Sequence, residues 1–336
     1  MAVTTTKSPR AKSSETPDVP RTMRAAAIER FGGPEVLRIH ELPVPHLNHD
    51  EVLIRLHTSG VGSWDAEMRA GWWPQGEPQF PLVLGTDGAG TVVAKGAHVR
   101  RFREGDGVYS YSFANPKGGF YAEYVVVAAE KVAPTPAGLT LDKAGAIPTT
   151  GLTAIQGIDD VLKIKREETL IIHGASGGVG TLAIQFAKLR EARVLAVASG
   201  ADGVALARKL GADIAIDGRT GDIAVASHKF APEGVDAVLG LSGGAPLERS
   251  IVALKSGGRV AYPNGVEPAP ERRPGIHMTG YDAVAGIREF AHLGIAIESV
   301  KLQVPIAVAF SLDDAAKAHE RLAKGHVLGK IVLRCQ

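Results

Sequence analysis

Residues 169–180 read Thr-Leu-Ile-Ile-His-Gly-Ala-Ser-Gly-Gly-Val-Gly, an apolar run followed at once by a glycine-rich turn. The run at 169–173 predicts a buried strand, and the amphipathic stretch at 179–190 predicts a helix behind the turn. Glycines at such a turn let the backbone approach a diphosphate, which the unpaired amides of the helix N-terminus attract. The motif therefore predicts a dinucleotide cradle formed by Ala175, Ser176, Gly177, Gly178 and Val179.

The chain on both sides of this turn alternates between strand and helix patterns. Further strands are predicted at 193–198, 214–216, 235–239 and 258–262, with amphipathic helices at 202–210 and 246–254. Such alternation implies right-handed crossovers and a parallel sheet that is covered on both faces. We therefore assign residues 146–283 to a doubly wound α/β domain that binds the dinucleotide.

The first half of the chain has a different pattern. Short β-rich stretches at 52–58, 82–84, 90–93, 107–111 and 121–127 are separated by Gly, Pro and Asp, which is typical of a compact β barrel or sandwich. The pattern turns irregular and β-rich again after about residue 283, so we assign residues 23–145 and 284–336 to one β-rich domain. Residues 1–22 are rich in Thr, Ser, Pro and Lys, which predicts a disordered leader and leaves organellar targeting open.

Composition excludes several classes of protein and partner. The 336 residues carry a formal net charge of +2 and a single cysteine, Cys335. The near-zero charge gives no field to attract a nucleic acid, and no apolar run reaches the length of a membrane span. One cysteine forms no internal disulfide and no Cys-x-x-Cys zinc site, which suits a reducing compartment. We therefore expect a cytoplasmic protein with neither nucleic-acid nor membrane partners.

The end of the second strand of the α/β domain bears on the choice of cofactor. Dinucleotide folds place an Asp or Glu there to bind the ribose hydroxyls of NAD, whereas this strand ends in Ser199. Ser199 can donate a hydrogen bond to a 2′-phosphate, and Arg208 or Arg219 could supply positive charge. NADPH is therefore favoured over NADH, although Asp202 lies three residues further on and opposes this choice.

Several stretches together resemble one known family. They are the glycine turn and residues 29–37, 85–90, 149–154 and 325–333, and they span about residues 24–333. The chain resembles the medium-chain dehydrogenase/reductase superfamily, in particular its zinc-independent quinone oxidoreductase branch related to zeta-crystallin. The resemblance implies a GroES-like catalytic domain built from two chain segments, a central Rossmann domain, NADPH in the cleft between them, and a homodimer or homotetramer.

The resemblance also implies where the substrate and the nicotinamide would lie. The substrate pocket would be lined by Gly62, Trp64, Trp72, Trp73 and Phe113, although the two adjacent tryptophans suit a core or an interface equally well. Ser63 or Tyr262 would donate a hydrogen bond to the substrate. Asp65 would take part in catalysis or would only hold the backbone amides of its loop in place. Thr150 would lie near the nicotinamide or cap a helix beginning near Thr153. The remaining cofactor residues would be Leu241, Ser242, Gly243, Pro263, Asn264 and Gly265.

Metal ligands are missing from the expected positions. Zinc-bearing relatives carry a Cys after the second long strand and a His-Glu pair in the glycine-rich segment, whereas this chain reads Val-Gly-Ser-Trp-Asp at 61–65 and Gly-Thr-Asp at 85–87. No metal is therefore expected, and without a Lewis acid alcohol oxidation is disfavoured. Quinones and α,β-unsaturated carbonyls accept hydride more easily, because neutral donors can hold the delocalised oxyanion that forms.

Two alternatives stay open. Some zeta-crystallin relatives serve as structural or regulatory proteins, so this chain could bind a cofactor with little turnover. It could also be an alcohol dehydrogenase that uses unrecognised metal ligands.

Overall fold

The computed structural model describes residues 19–74 and 76–336. Most of the expected leader at 1–22 lies outside these residues, but Thr22 already begins the first strand. The strands of the first half are β1 Thr22–Ile28, β2 Arg38–Pro43, β3 Glu51–Val61, β4 Leu82–Val83, β5 Asp87–Lys95, β6 Gly107–Tyr111, β7 Tyr124–Ala128 and β8 Val132–Pro134. The helices of this half are α1 Ser63–Ala70 and α2 Leu141–Ala144, with short 3₁₀ turns at Pro34–Val36 and Ala129–Lys131.

The middle of the chain alternates strand and helix, as its sequence pattern predicts. It opens with α3 Pro148–Gln156 and a π-helical turn at Gly157–Val161. The elements that follow are β9 Thr169–His173, α4 Gly178–Leu189, β10 Arg193–Ala198, α5 Gly200–Lys209, β11 Ile214–Asp217, α6 Ile223–Phe230, β12 Val235–Gly240, α7 Ala245–Val252, β13 Leu254–Pro263 and β14 His277–Tyr281. The sequence pattern did not predict α6.

These strands form a parallel sheet with the order β11-β10-β9-β12-β13-β14. Alternate residues of each strand point to opposite faces of the sheet, and an apolar cluster covers each face. Ile171 of β9 belongs to one apolar cluster, and its neighbours Leu170 and Ile172 belong to another. The predicted doubly wound domain is confirmed.

The end of the chain returns to the first half. It consists of α8 Ile287–Val300, β15 Ile306–Ser311, a 3₁₀ turn at Leu312–Asp314, α9 Ala315–Ala323 and β16 Lys330–Arg334. The strand β16 pairs antiparallel with β3, so that Ile331 lies opposite Val61. A mixed sheet results with the order β15-β16-β3-β5-β6-β8, while β7 also pairs with β3, and β2, β1 and β4 form a small separate sheet. The expected α/β fold class, a β-rich part beside a parallel-sheet part, is confirmed.

Among the residues that the structure describes, no helix is both long and apolar enough to cross a bilayer.

Candidate active site

The strand order reverses between β9 and β12, which lie side by side in the parallel sheet. In a doubly wound fold, ligands bind in the crevice at this point, beyond the carboxyl ends of the strands. Gly174 follows β9 with a φ of 84°, and Leu241 follows β12. A side chain at Gly174 would place its Cβ 3.1 Å from the Cβ of Leu241, so the two loops touch. The glycine turn therefore lies at the crevice.

The glycine turn leaves the N-terminus of α4 open. Gly177 is its N-cap residue and no side chain caps the helix there. A Cβ at Gly177 would meet only the Gly174 carbonyl oxygen, at 3.5 Å, whereas a Cβ at Gly180 would lie 2.4 Å from that same oxygen. Gly180 thus lets the helix pack on the strand, and Gly177 faces free space. Open amides at a helix N-terminus suit a diphosphate, so these residues fit a dinucleotide.

The β-rich domain covers this turn from the other side. The Gly329 amide donates to the Ser176 carbonyl oxygen over 2.9 Å, and Gly177 and Gly329 form a parallel β-bridge. A Cβ at Gly178 would lie 3.2 Å from Cγ2 of Thr150 and 3.5 Å from Cδ of Lys330. The start of α4 therefore lies at the junction of the two parts of the molecule, beside Thr150 and Lys330.

Thr150 lies inside α3 and does not cap it, because the helix begins at Pro148 rather than near Thr153. Its hydroxyl donates to the carbonyl oxygens of Ala146 and Ile147, at 2.8 and 3.2 Å. The hydroxyl is thus bonded within its own helix, while the methyl group points at the glycine turn. The capping alternative for Thr150 is wrong.

Asp65 is fully buried on α1. Its Oδ2 accepts hydrogen bonds from the Gly62 amide over 2.8 Å and from the Tyr121 hydroxyl over 3.0 Å. The Tyr121 hydroxyl also lies 3.2 Å from Nε2 of His319, which is buried as well. Burial raises the pKa of Asp65 to about 7 and lowers the pKa of His319 to about 3. Asp65 therefore braces the start of α1 and has no surface on which to touch a substrate.

Trp64 fills the space between the two segments that hold metal ligands in zinc-bearing relatives. Its indole Nε1 donates to the Thr86 hydroxyl over 2.6 Å, and a Cβ at Gly62 would lie 2.3 Å from the ring. The ammonium of Lys330 sits 4.7 Å from the ring centroid, at cation–π distance. Among the described residues, no three His, Cys, Asp or Glu side chains converge as a metal site would require.

The side chains of Trp72 and Trp73 lie in different environments. The Trp72 side chain is 50% exposed, and its ring centroid lies 5.9 Å from that of Phe113. Trp73 packs instead on the apolar cluster of the β-rich domain. Trp72 is thus available as an aromatic wall, whereas Trp73 is partly buried against that cluster. Ser63 is exposed as the first residue of α1.

The loops expected on the nicotinamide side lie at the same edge of the sheet as the glycine turn. The loop with Leu241, Ser242 and Gly243 follows β12, and Pro263 ends β13 just before Asn264 and Gly265. These strands are parallel, so their carboxyl ends meet at one edge. Tyr262 is half-buried and packs on the apolar cluster that contains Ile171. The side-chain amide of Asn264 donates to the Asp282 carboxylate over 2.7 Å.

The structure brings Arg219, not Arg208, to the end of β10. The guanidinium of Arg208 donates to the Ala215 carbonyl oxygen over 3.2 Å, at the far end of α5 from Ser199. Arg208 lies nine positions along the chain from Ser199, a helical rise of about 13 Å. A Cβ at Gly200, by contrast, would lie 2.8 Å from Nη2 of Arg219. Our placement of Arg208 in the cofactor site is therefore not supported by the geometry.

Two residues near the cleft carried no sequence signal. Lys330 and His326 fall in the stretch 325–333 that supported the family resemblance, but nothing in that stretch indicated which residues they contact. Pairing of β16 with β3 places Lys330 beside Trp64, and the loop before β16 places His326 beside Asp202 and Ser199. Only the folded chain reveals these contacts, because their partners lie more than a hundred residues away in sequence.

Comparisons with known proteins agree with this architecture. A model of the alcohol dehydrogenase GroES-like domain matches residues 48–137, and a model of zinc-binding dehydrogenases matches residues 210–333. The chain is 31% identical to the quinone oxidoreductase of Lama guanicoe, over 93% of this chain and 98% of that protein. It is 30% identical to the chloroplastic NADPH-dependent alkenal/one oxidoreductase of Arabidopsis thaliana, over 94% of this chain and 80% of that one.

Among solved structures, the Escherichia coli quinone oxidoreductase complexed with NADPH superimposes with a TM-score of 0.83 at 26% identity, over 93% of this chain and 99% of that one. The fold, the glycine turn at the strand-order reversal and these likenesses lead to one conclusion: the chain belongs to the medium-chain dehydrogenase/reductase superfamily, in its quinone oxidoreductase branch.

Proposed function

We propose that this protein catalyses the NADPH-dependent two-electron reduction of a quinone or an α,β-unsaturated carbonyl compound, without a zinc ion. The observation that carries the proposal is the N-terminus of α4, which no side chain caps and which lies at the strand-order reversal beside Thr150 and Lys330. The alkenal/one oxidoreductase of Arabidopsis and the NADPH complex of the Escherichia coli enzyme support the choice of substrate class and cofactor.

The cofactor would be held along the carboxyl edge of the parallel sheet. The Gly177 amide already donates to the Gly174 carbonyl oxygen, so the amides of Gly178 and Val179 would bind the diphosphate, and Ser199 with Arg219 would face the adenosine ribose. The loops at 241–243 and 263–265, with Thr150, would flank the nicotinamide. NADPH, when bound, supplies the hydride. The chain's own task is then to orient the ring against an electrophilic carbon and to keep water from the cleft.

The substrate side of the cleft offers neutral donors and an aromatic surface. Trp72 is exposed beside Phe113 and can stack on a planar quinone. Ser63 presents its hydroxyl at the surface of the same segment, and we propose it as the donor to the substrate oxygen, with Tyr262 as the second candidate. The Trp64–Thr86 hydrogen bond occupies the place of the metal ligands, which supports zinc-independent chemistry.

One assay tests the proposal and separates it from both alternatives. Purified protein is mixed with NADPH and either a naphthoquinone or an enal, and in parallel with NADP and a primary alcohol, each with and without a chelator. We expect nicotinamide oxidation with the quinone or the enal that the chelator leaves unchanged. Chelator-sensitive alcohol oxidation would instead favour a metal alcohol dehydrogenase. Cofactor binding without turnover of any acceptor would favour a structural or regulatory role.

Site variants sharpen this assay. Ser63→Ala should lower kcat with the acceptor while NADPH binding stays unchanged, because the lost hydroxyl faces only the substrate. Ser299→Ala serves as the control, since that exposed hydroxyl bonds to the Ile295 carbonyl oxygen within its own helix. Equal kcat in the two variants would remove Ser63 from the site. A homodimer or homotetramer and a cytoplasmic location stay predictions.

A further inference from the structure

Three charged or ionisable side chains converge on Gly200, directly beyond β10. A Cβ at Gly200 would lie 2.7 Å from Oδ1 of Asp202, 2.8 Å from Nη2 of Arg219 and 3.0 Å from Cε1 of His326. Gly200 itself has a φ of 76°, a conformation that favours glycine. The three groups come from three separate segments, so the convergence is a product of the tertiary fold.

His326 reaches this place from the β-rich domain. Its Nε2 donates to Oδ2 of Asp202 over 2.9 Å, and its Nδ1 lies 3.1 Å from the Ser199 hydroxyl. Its backbone has a φ of 48°, which non-glycine residues rarely adopt and which often marks a functional position. The guanidinium of Arg321 binds the carbonyl oxygens of Gly325 and His326 and so fixes the loop in this conformation.

The protonation of His326 sets the charge directly beside Asp202. Arg219 pairs with Asp217 over 3.4 Å, so these two charges offset each other, and the guanidinium of Arg321 is engaged by backbone carbonyls. Among the described residues, His326 is the one side chain that pairs with the Asp202 carboxylate, and its hydrogen bond holds the pKa of Asp202 below its usual value. Lys324 is exposed on the same loop. An anion arriving at Gly200 therefore meets one positive charge fewer beside the Asp202 carboxylate whenever the imidazole is neutral.

This cluster lies where the adenosine ribose of a dinucleotide sits, at the end of the second strand. We propose that His326 is the residue that selects the 2′-phosphorylated cofactor: when protonated it exchanges the Asp202 carboxylate for the adenosine 2′-phosphate, and when neutral it leaves Asp202 to repel that phosphate. The inference rests on the proposed function, because it specifies how the same dinucleotide site chooses its ligand.

The direction of the pH dependence follows from the charges. Histidine side chains ordinarily gain their proton as the pH falls between 8 and 5. The preference for NADPH over NADH should therefore rise as the pH falls. Titration of the phosphate itself acts in the opposite direction, since its second ionisation, near pH 6, adds negative charge as the pH rises. A preference for NADPH that falls as the pH rises therefore indicates loss of the His326 proton, and a preference that rises indicates ionisation of the phosphate.

The test measures cofactor binding, independently of turnover. Dissociation constants for NADPH and NADH are determined by nicotinamide fluorescence between pH 6 and pH 8, and those for 2′-phospho-ADP-ribose and ADP-ribose by calorimetry. In the wild-type protein we expect the preference for the 2′-phosphorylated ligand to fall about tenfold from pH 6 to pH 8. His326→Gln should abolish this fall. Asp202→Asn should raise the preference at pH 8 about tenfold, because it removes the repelling charge.

The matched control is His228→Gln, which removes an exposed histidine of α6 in the same sheet domain. It should reproduce the wild-type pH profile, and thermal unfolding checks that each variant is folded. A preference that is constant or rises with pH in the wild type overturns the inference, as does a His326→Gln profile equal to that of the wild type. If neither dinucleotide nor its ADP-ribose part binds, the proposed function itself fails.

Discussion

At the scale of single residues, Asp65 combines full burial with an ionisable group. Its Oδ2 accepts two hydrogen bonds, while Oδ1 is buried with no hydrogen-bond partner among the described residues. Burial disfavours the charged carboxylate, and this raises its pKa to about 7. The group that the sequence suggested for catalysis therefore stabilises the loop around Gly62, and it titrates close to neutrality.

Asp65→Asn should change how stability depends on pH. In the wild type the folded state keeps the Asp65 proton up to about pH 7, whereas the unfolded chain releases it near 3.8. Stability therefore falls as the pH rises through this window. Relative to the wild type, the variant should gain about 2 kcal/mol of unfolding free energy between pH 5 and pH 8. Urea unfolding at both pH values measures this gain.

The control for Asp65 is Asp106→Asn. The Asp106 carboxylate also accepts the amide three residues before it, from Arg103 over 2.7 Å, but it is only partly buried. Its stability difference from the wild type should be the same at the two pH values. If Asp65→Asn behaved in the same way, Asp65 would not be the buried acid described above.

Gly62→Ala should displace the Trp64 indole. The added Cβ would lie 2.3 Å from the ring, so the ring must move and its hydrogen bond to Thr86 must weaken. Overpacking of this kind costs about 1–3 kcal/mol. Denaturant unfolding should show the loss, together with a shifted tryptophan emission maximum.

Gly294→Ala is the matching control, because a Cβ there meets nothing within 4 Å in the middle of α8. Alanine in a helix interior should stabilise the protein by about 0.5–1 kcal/mol. An equal effect at both glycines would show that the Trp64 ring does not rest on Gly62.

At the scale of elements, the turn between β9 and α4 contains glycines with two different roles. Gly180 is needed for packing, since a Cβ there would lie 2.7 Å from Cα of Ala175 and closer still to the Gly174 carbonyl. Gly177 adopts an extended backbone with a φ of −79°, which any residue tolerates, and its missing Cβ would project into open space. Of these two glycines, only Gly177 is therefore free to let a ligand approach the backbone.

Gly177→Ala should therefore weaken cofactor binding without unfolding the protein. We expect the dissociation constant for NADPH to rise about tenfold, because the methyl group obstructs the approach of the diphosphate to the helix N-terminus. The unfolding free energy should stay within about 0.5 kcal/mol of the wild type. Fluorescence titration and urea unfolding give the two values. Gly180→Ala should instead lose stability, and unchanged NADPH binding in Gly177→Ala would contradict the assignment of the cradle.

At the scale of the whole molecule, the cofactor cleft is built by chain segments that are far apart in sequence. The C-terminal strand β16 completes the sheet of the first half and also brings Gly329 onto Ser176 of the glycine turn. The β-rich part that packs on the glycine turn is thus completed by the strand at 330–334. Ligand contacts on both sides of the cleft should tie the two parts together.

NADPH should accordingly stabilise the whole fold. At a free concentration one hundred times its dissociation constant, a ligand that binds only the native state adds about 2.7 kcal/mol to the unfolding free energy. Urea unfolding with and without NADPH measures this increment, and in Gly177→Ala the same increment should need a proportionally higher concentration. Stabilisation of only one of two separate unfolding transitions would show that the cofactor contacts one domain alone.

Most elements of the α/β part, though not α6, and the place of the glycine turn could be predicted from the sequence. The alternation of strands and helices and the glycine turn at 174–180 are local patterns, set by side-chain period and backbone freedom, and the structure reproduces them. The prediction that a helix begins near Thr153 was wrong because Pro148, well suited to a first helical turn, starts it earlier.

The side chains that meet beside the glycine turn are set by contacts between distant parts of the chain. Pairing of β16 with β3 puts Lys330 over Trp64, the loop before β16 puts His326 on Asp202, and the length of α5 carries Arg208 away while Arg219 comes near. Burial likewise turned Asp65 from a candidate catalyst into a brace. These outcomes depend on strand register and on contacts between distant segments, which no local pattern encodes.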